Sequence, residues 1–153
     1  LKPKRIVIVS SAPQIRYPDC YGIDMAKLEG LIAFKATLEL LKERNLYHIV
    51  EDVYKKCKAQ EHLKDSEISN VVTEIYKPFE PQEISDKIAT MLSSTEIKAE
   101  VKIIFQSIED LHMACPKNLG DWYFTGDYPT PGGNRVVNKA FMNFYEGKDA
   151  RAY

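Results

Sequence analysis

Cysteine is scarce in this chain of 153 residues: Cys20, Cys57 and Cys115 are the three present. Odd in number and far apart, they make no disulfide framework, and reduced thiols are the default. Excess charge is missing too. The 21 basic residues stand against 22 acidic ones, so no global field draws the chain to nucleic acid or to an anionic membrane. No apolar stretch reaches the roughly 18 to 20 residues that span a bilayer, and the opening Leu1-Lys2-Pro3-Lys4-Arg5 has no signal-type apolar core. A cytoplasmic protein is expected, with neither nucleic acid nor membrane as a partner. What is present is 44% hydrophobic residues, enough for the ordinary core of one domain. No internal repeat is visible.

The uninterrupted run Ile6-Val7-Ile8-Val9 reads as a strand buried on both faces. The polar, proline-punctuated stretch from Ser10 to Met25 follows it. In open α/β folds ligands sit outside the carboxyl ends of parallel strands, which is where this stretch emerges. Val101-Lys102-Ile103-Ile104-Phe105 reads as a second strand, and Ser107 with Asp110 resembles a capping box that opens a helix running through Leu111 and Cys115.

Between the strands the periodicity is helical. From Met25 the positions Leu28, Leu31, Ile32, Leu38 and Leu41 predict one long or broken helix with Asp24 as its N-cap. Asn45 interrupts it. Leu46, Ile49, Val50, Val53, Tyr54 and Cys57 then form a second apolar stripe opposite Glu51, Asp52, Lys55 and Lys56. The segment 58–69 is polar and partly helical, and Val71 to Tyr76 is too short to decide between strand and helix end. Pro81 suits the first turn of a helix that carries Ile84, Ile88, Met91 and Leu92 inward and ends at Ser93-Ser94-Thr95. Beyond Pro116 a long ordered loop is expected to reach Gly133. A final helix starting at Asn134 places Val137, Ala140, Phe141, Phe144 and Tyr145 on one side.

The run Ser10-Ser11-Ala12-Pro13-Gln14-Ile15-Arg16-Tyr17-Pro18-Asp19-Cys20-Tyr21-Gly22-Ile23-Asp24-Met25 resembles one found in the glutamine phosphoribosylpyrophosphate amidotransferase family. Ile103-Ile104-Phe105-Gln106-Ser107-Ile108-Glu109-Asp110-Leu111 is similar to that family's closing strand and helix, and Phe124-Thr125-Gly126-Asp127-Tyr128-Pro129-Thr130 to its late turn, in the same order. The resemblance implies an α/β, helix-rich fold: residues 1–153 as the C-terminal portion of a type I phosphoribosyltransferase-like domain, with an inserted helical segment at 46–96. The insertion makes this stretch longer than the usual family member by roughly fifty residues, too many for an unstructured connection.

The implied activity is that of the first step of purine biosynthesis, in which glutamine and phosphoribosyl pyrophosphate give phosphoribosylamine. Such an enzyme uses magnesium and a pyrophosphate-binding acidic loop placed before the first strand, ahead of Leu1. Its glutaminase chemistry needs a cysteine at the mature N-terminus, which Leu1 is not. The chain, opening without methionine just before a strand, is thus expected to be an excised piece, inert alone, whose partners are the glutaminase domain and the loop-bearing rest of a parent chain, in a homo-oligomer. The competing reading is a non-catalytic helical regulatory or assembly module that retains the transferase scaffold.

Candidate residues follow from position and from the resemblance. Arg16 and Tyr17 are placed next to a ligand, because an arginine just past a strand end can fork two donors onto a phosphate or carboxylate; a structural ion pair is the alternative. Leu31 matches a family leucine that lines an ammonia channel, and ordinary core packing is the other reading. Some family members hold an iron–sulfur cluster on four cysteines. Cys20 is displaced by one position from one of them, and Cys115-Pro116-Lys117-Asn118 has lost the second cysteine of a pair, so no cluster is predicted. The spacing of His48, Cys57 and His62 matches no common zinc site. Glu109-Asp110 reads as capping and solvated surface rather than as a metal site. Gly132-Gly133-Asn134 reads as a turn in preference to an anion nest. Trp122, Tyr123, Phe124 and Tyr128 read as a cluster that fastens a loop rather than one that stacks a base.

Overall fold

The structure, a computed structural model, describes residues 2–21, 25–93, 97–117 and 120–152. The two apolar runs form strands β1 (Arg5–Ser10) and β2 (Glu100–Phe105), paired parallel from Arg5 opposite Glu100 to Ser10 opposite Phe105. The crossover between them carries α1 (Ile32–Glu43), α2 (His48–Ala59) and α3 (Pro81–Leu92). After β2 come α4 (Ile108–Ala114), the single turn α5 (Trp122–Thr125) and α6 (Pro131–Tyr145). The architecture is α/β and helix-rich, with a small parallel sheet.

The core lies among the helices. Phe34 and Leu41 of α1, Val50 and Val53 of α2, Ile84 and Ile88 of α3, and Val137 and Phe141 of α6 are all buried in one cluster. Phe34 meets Phe141 and Phe144 edge to face, with ring centroids 6.2 and 4.9 Å apart, the arrangement that ring quadrupoles favour. Leu31 belongs to the same cluster. Helix α3 packs on both α1 and β2, and so ties the sheet to the bundle. Its start follows the expected chemistry: Pro81 occupies the first turn, and the Glu80 and Glu83 side chains cap reciprocally.

Several expectations are corrected. Ile6 to Val9 is a strand, but it is not buried on both faces: Val7 is 48% and Val9 69% exposed. Two causes are visible. Among the described residues β1 has one neighbouring strand, and α3 packs against β2, so that Ile6 and Ile8 of β1 are exposed as well, while Val7 and Val9 share the bare face with Ile104. The helix expected from Met25 begins at Ile32; a 3-10 turn, Leu28–Gly30, and an extended Leu31 precede it. Both leucines are buried without belonging to the α-helix. Met91 and Leu92 are exposed, because α3 ends beside them and Ser93 closes the helix by donating to the Ala89 carbonyl. The undecided Val71–Ile75 is a 3-10 helix capped by Asn70. The loop after Pro116 is broken by α5, and the last helix opens at Pro131, with Gly132, Gly133 and Asn134 inside its first turn. Tyr145 turns outward and stacks on Tyr54 at 4.1 Å. The predicted cap Asp24 and the stop at Ser94-Thr95 fall outside the described residues.

Candidate functional site

The stretch leaving β1 is fixed from its first residue. Ser10 Oγ donates to the Ala12 carbonyl and accepts from the Ala12 amide, while the Gln106 amide donates to the Ser10 carbonyl just past the end of β2. Both strand ends therefore open onto one place. A cleft of about 360 Å³ lies there, bordered by Gln14 and Arg16 after β1, Gln106 and Ser107 after β2, Ser85 of α3 and Glu109 of α4. Ser107 caps α4 by accepting from the Asp110 amide at 3.0 Å. Glu109 and Asp110 lie in the first turn of that helix, where carboxylates are favoured.

Arg16 and Tyr17 follow one another in sequence but face opposite ways. Arg16 is half-buried at the cleft. Its guanidinium donates from Nε and Nη2 to Gln14 Oε1 at 3.1 and 2.8 Å and stacks 5.4 Å from the Tyr76 ring centroid. The orienting partner is a neutral amide, not the carboxylate of a structural ion pair. Tyr17 is 3% exposed and meets Tyr76 edge to face at 5.4 Å. Burial raises the pKa of both phenols.

Gln14 and Tyr76, which sequence reasoning missed, hold the turn. The Gln14 amide donates to the Pro81 carbonyl and to Ser85 Oγ, both at 2.8 Å, and the Tyr76 hydroxyl donates to the Arg16 carbonyl at 2.6 Å. The one signal available was the period of two that places Gln14 on the same side as Arg16. Tyr76 sat in the segment whose period was undecided.

The aromatic cluster fastens, as expected. The amides of Arg16 and Tyr17 donate to the Tyr123 carbonyl. Tyr123 donates to Asp19 Oδ1 at 2.8 Å, and Tyr128 to the Pro18 carbonyl at 2.7 Å. Burial, followed by the bond to Asp19, moves the Tyr123 phenol up to about 12.

Cys57 lies in the core, and burial pushes its thiol up to about 12; His48 and His62 are exposed. Burial and the neighbouring Asp19 also raise Cys20, while Cys115 is exposed. Among the described residues no group of three His, Cys, Asp or Glu side chains is placed to hold a metal ion. No helix among the described residues is long and apolar enough to cross a membrane.

A cleft at the carboxyl ends of parallel strands, with one oriented cation and several polar groups, is the usual ligand-binding arrangement of α/β proteins. The chain is similar to the amidophosphoribosyltransferase of Saccharomyces cerevisiae: 32% identical over 107 residues, covering 65% of this chain and 21% of that protein. It spans about a fifth of the length of that curated relative. No family model matches the chain, and no solved structure is similar to it.

Proposed function

We propose that this chain is the C-terminal portion of the phosphoribosyltransferase domain of an amidophosphoribosyltransferase, a cytoplasmic glycosyltransferase of purine biosynthesis. The parent protein would hydrolyse glutamine, pass ammonia along an apolar path that includes Leu31, and join it to phosphoribosyl pyrophosphate. One observation carries the reading: the segment that resembles the family leaves β1 at its carboxyl end and places Arg16 at a cleft shared with the end of β2.

In this reading β1 and β2 are the closing part of a larger sheet. The bare apolar residues of β1 support it, because a strand this rich in valine and isoleucine suits a sheet covered on both faces, and an open edge of this kind accepts another strand. The rest of the parent chain supplies that strand, together with the acidic loop and the magnesium ligands. This chain contributes a rigid turn, a cation at the ligand rim and an apolar wall, and alone it is inactive. Residues 46–96 are a helical insertion that shares the core of α1 and α6, and the parent assembles as a homo-oligomer.

The test is a chimaera in which this chain replaces the matching segment of the yeast enzyme. Phosphoribosylamine formation from glutamine is expected to persist. A chimaera that keeps glutaminase activity, and is therefore folded in that half, yet forms no phosphoribosylamine from either glutamine or ammonia contradicts the proposal.

A further inference from the structure

We infer that Gln14 is a positioning residue: its neutral amide fixes Arg16 at the cleft without cancelling its charge, and so creates a subsite for a phosphate-type oxyanion. The inference rests on the strand-end cleft being the ligand site.

A carboxylate partner distinguishes three of the four other arginines of the chain from Arg16. Arg5 is paired with Glu100, Arg44 with Glu83 and Arg135 with Asp65. Arg16 forms no ion pair with a carboxylate among the described residues, yet both its backbone and its side chain are held in place. Its amide is bonded to Tyr123 and its carbonyl to Tyr76, its guanidinium lies against the Tyr76 ring, and Nε and Nη2 both end on Gln14 Oε1. Gln14 is itself 4% exposed and anchored through its other amide atom to Pro81 and Ser85. Its flip state follows from that network, since the amide nitrogen faces two acceptors and the oxygen faces the guanidinium.

A guanidinium has five N–H donors. Two end on Gln14, and the others have no partner among the described residues. A glutamate at position 14 would supply an equivalent acceptor oxygen and neutralise the charge; glutamine gives the orientation and leaves the full positive charge to the cleft. Pre-ordering removes the side-chain entropy that an anion would otherwise have to overcome. The bordering carboxylates do not fill the role of partner: Glu80 is engaged in capping α3, and Glu109 is exposed on α4. Two parallel N–H groups on the remaining guanidinium edge match the oxygens of a phosphate or phosphomonoester.

The test titrates the labelled chain with inorganic phosphate and, separately, with ribose 5-phosphate, following the Arg16 Nε–H resonance and the backbone amides of the cleft. Saturable shifts are expected with at least one probe. Tighter binding of ribose 5-phosphate identifies a phosphomonoester site, and equal binding identifies a simple oxyanion site. Gln14→Glu is expected to weaken binding about tenfold or more through charge cancellation while the Arg16 Nε–H signal stays sharp. Gln14→Met, which keeps the charge but frees the guanidinium, is expected to broaden that signal and weaken binding a few-fold. It serves as the test if the glutamate variant does not fold. No saturable shift with either probe, or affinity unchanged in the variants, overturns the inference. An active chimaera whose cleft binds no anion overturns this inference alone; anion binding in an inactive chimaera overturns the transferase reading alone.

Discussion

Gly133 sits in the first turn of α6 with Tyr128 against its α-carbon: a Cβ built there would lie 2.5 Å from Tyr128 Cβ. That approach lets the Tyr128 hydroxyl reach the Pro18 carbonyl and pin the turn that follows β1. Gly133→Ala is expected to destabilise the chain by about 1 to 3 kcal/mol, the usual effect of overpacking, as read from urea denaturation. It is also expected to loosen the segment 16–19, so the amides there should lose hydrogen-exchange protection. Gly126, at φ +80 with Tyr17 beside it, is a second glycine required by the same junction. Neither requirement was legible in sequence, because each depends on a ring brought close by tertiary folding. Arg16 was legible as a residue past a strand end. Gln14 was not, because its importance comes from contacts with α3, which lies far along the chain.

The secondary elements were legible where periodicity ran long. The α2 stripe of Val50, Val53 and Cys57 is buried as read, and Pro81 opens α3 as expected. Short segments were misread for local reasons: an extended Leu31 delays α1, and Pro131 starts α6 ahead of Asn134. The strand positions were right, but burial was not, since an apolar run specifies what a strand can cover and not what is there to cover it. The two classes of element should respond differently to substitution. Ile84→Ala, at a fully buried position of α3, is expected to cost about 2 to 5 kcal/mol. Val9→Lys, on the bare face of β1, is expected to change stability by less than about 0.5 kcal/mol. Urea denaturation of both variants checks the contrast, and an equal loss at Val9 would mean that the exposed face is covered.

At the scale of the whole molecule, one helical core carries a two-stranded sheet at its side. The sheet delivers an ordered turn and a single oriented arginine to a cleft. Core and turn stand within this chain, whereas among the described residues one edge of β1 is unpaired and its apolar side chains are exposed, and the matched segment covers 21% of the relative it resembles. The central claim is that the rest of a transferase sheet completes β1 and closes the site.

Hydrogen exchange at Ile6 to Val9, measured with and without the remainder of the yeast enzyme lacking its own matching segment, tests this claim most directly. The alternate β1 amides that point away from β2 should exchange rapidly in the chain alone. They should become strongly protected in the mixture, with phosphoribosylamine formation appearing alongside. Exchange at those amides that does not change in a mixture shown to be associated would contradict the account.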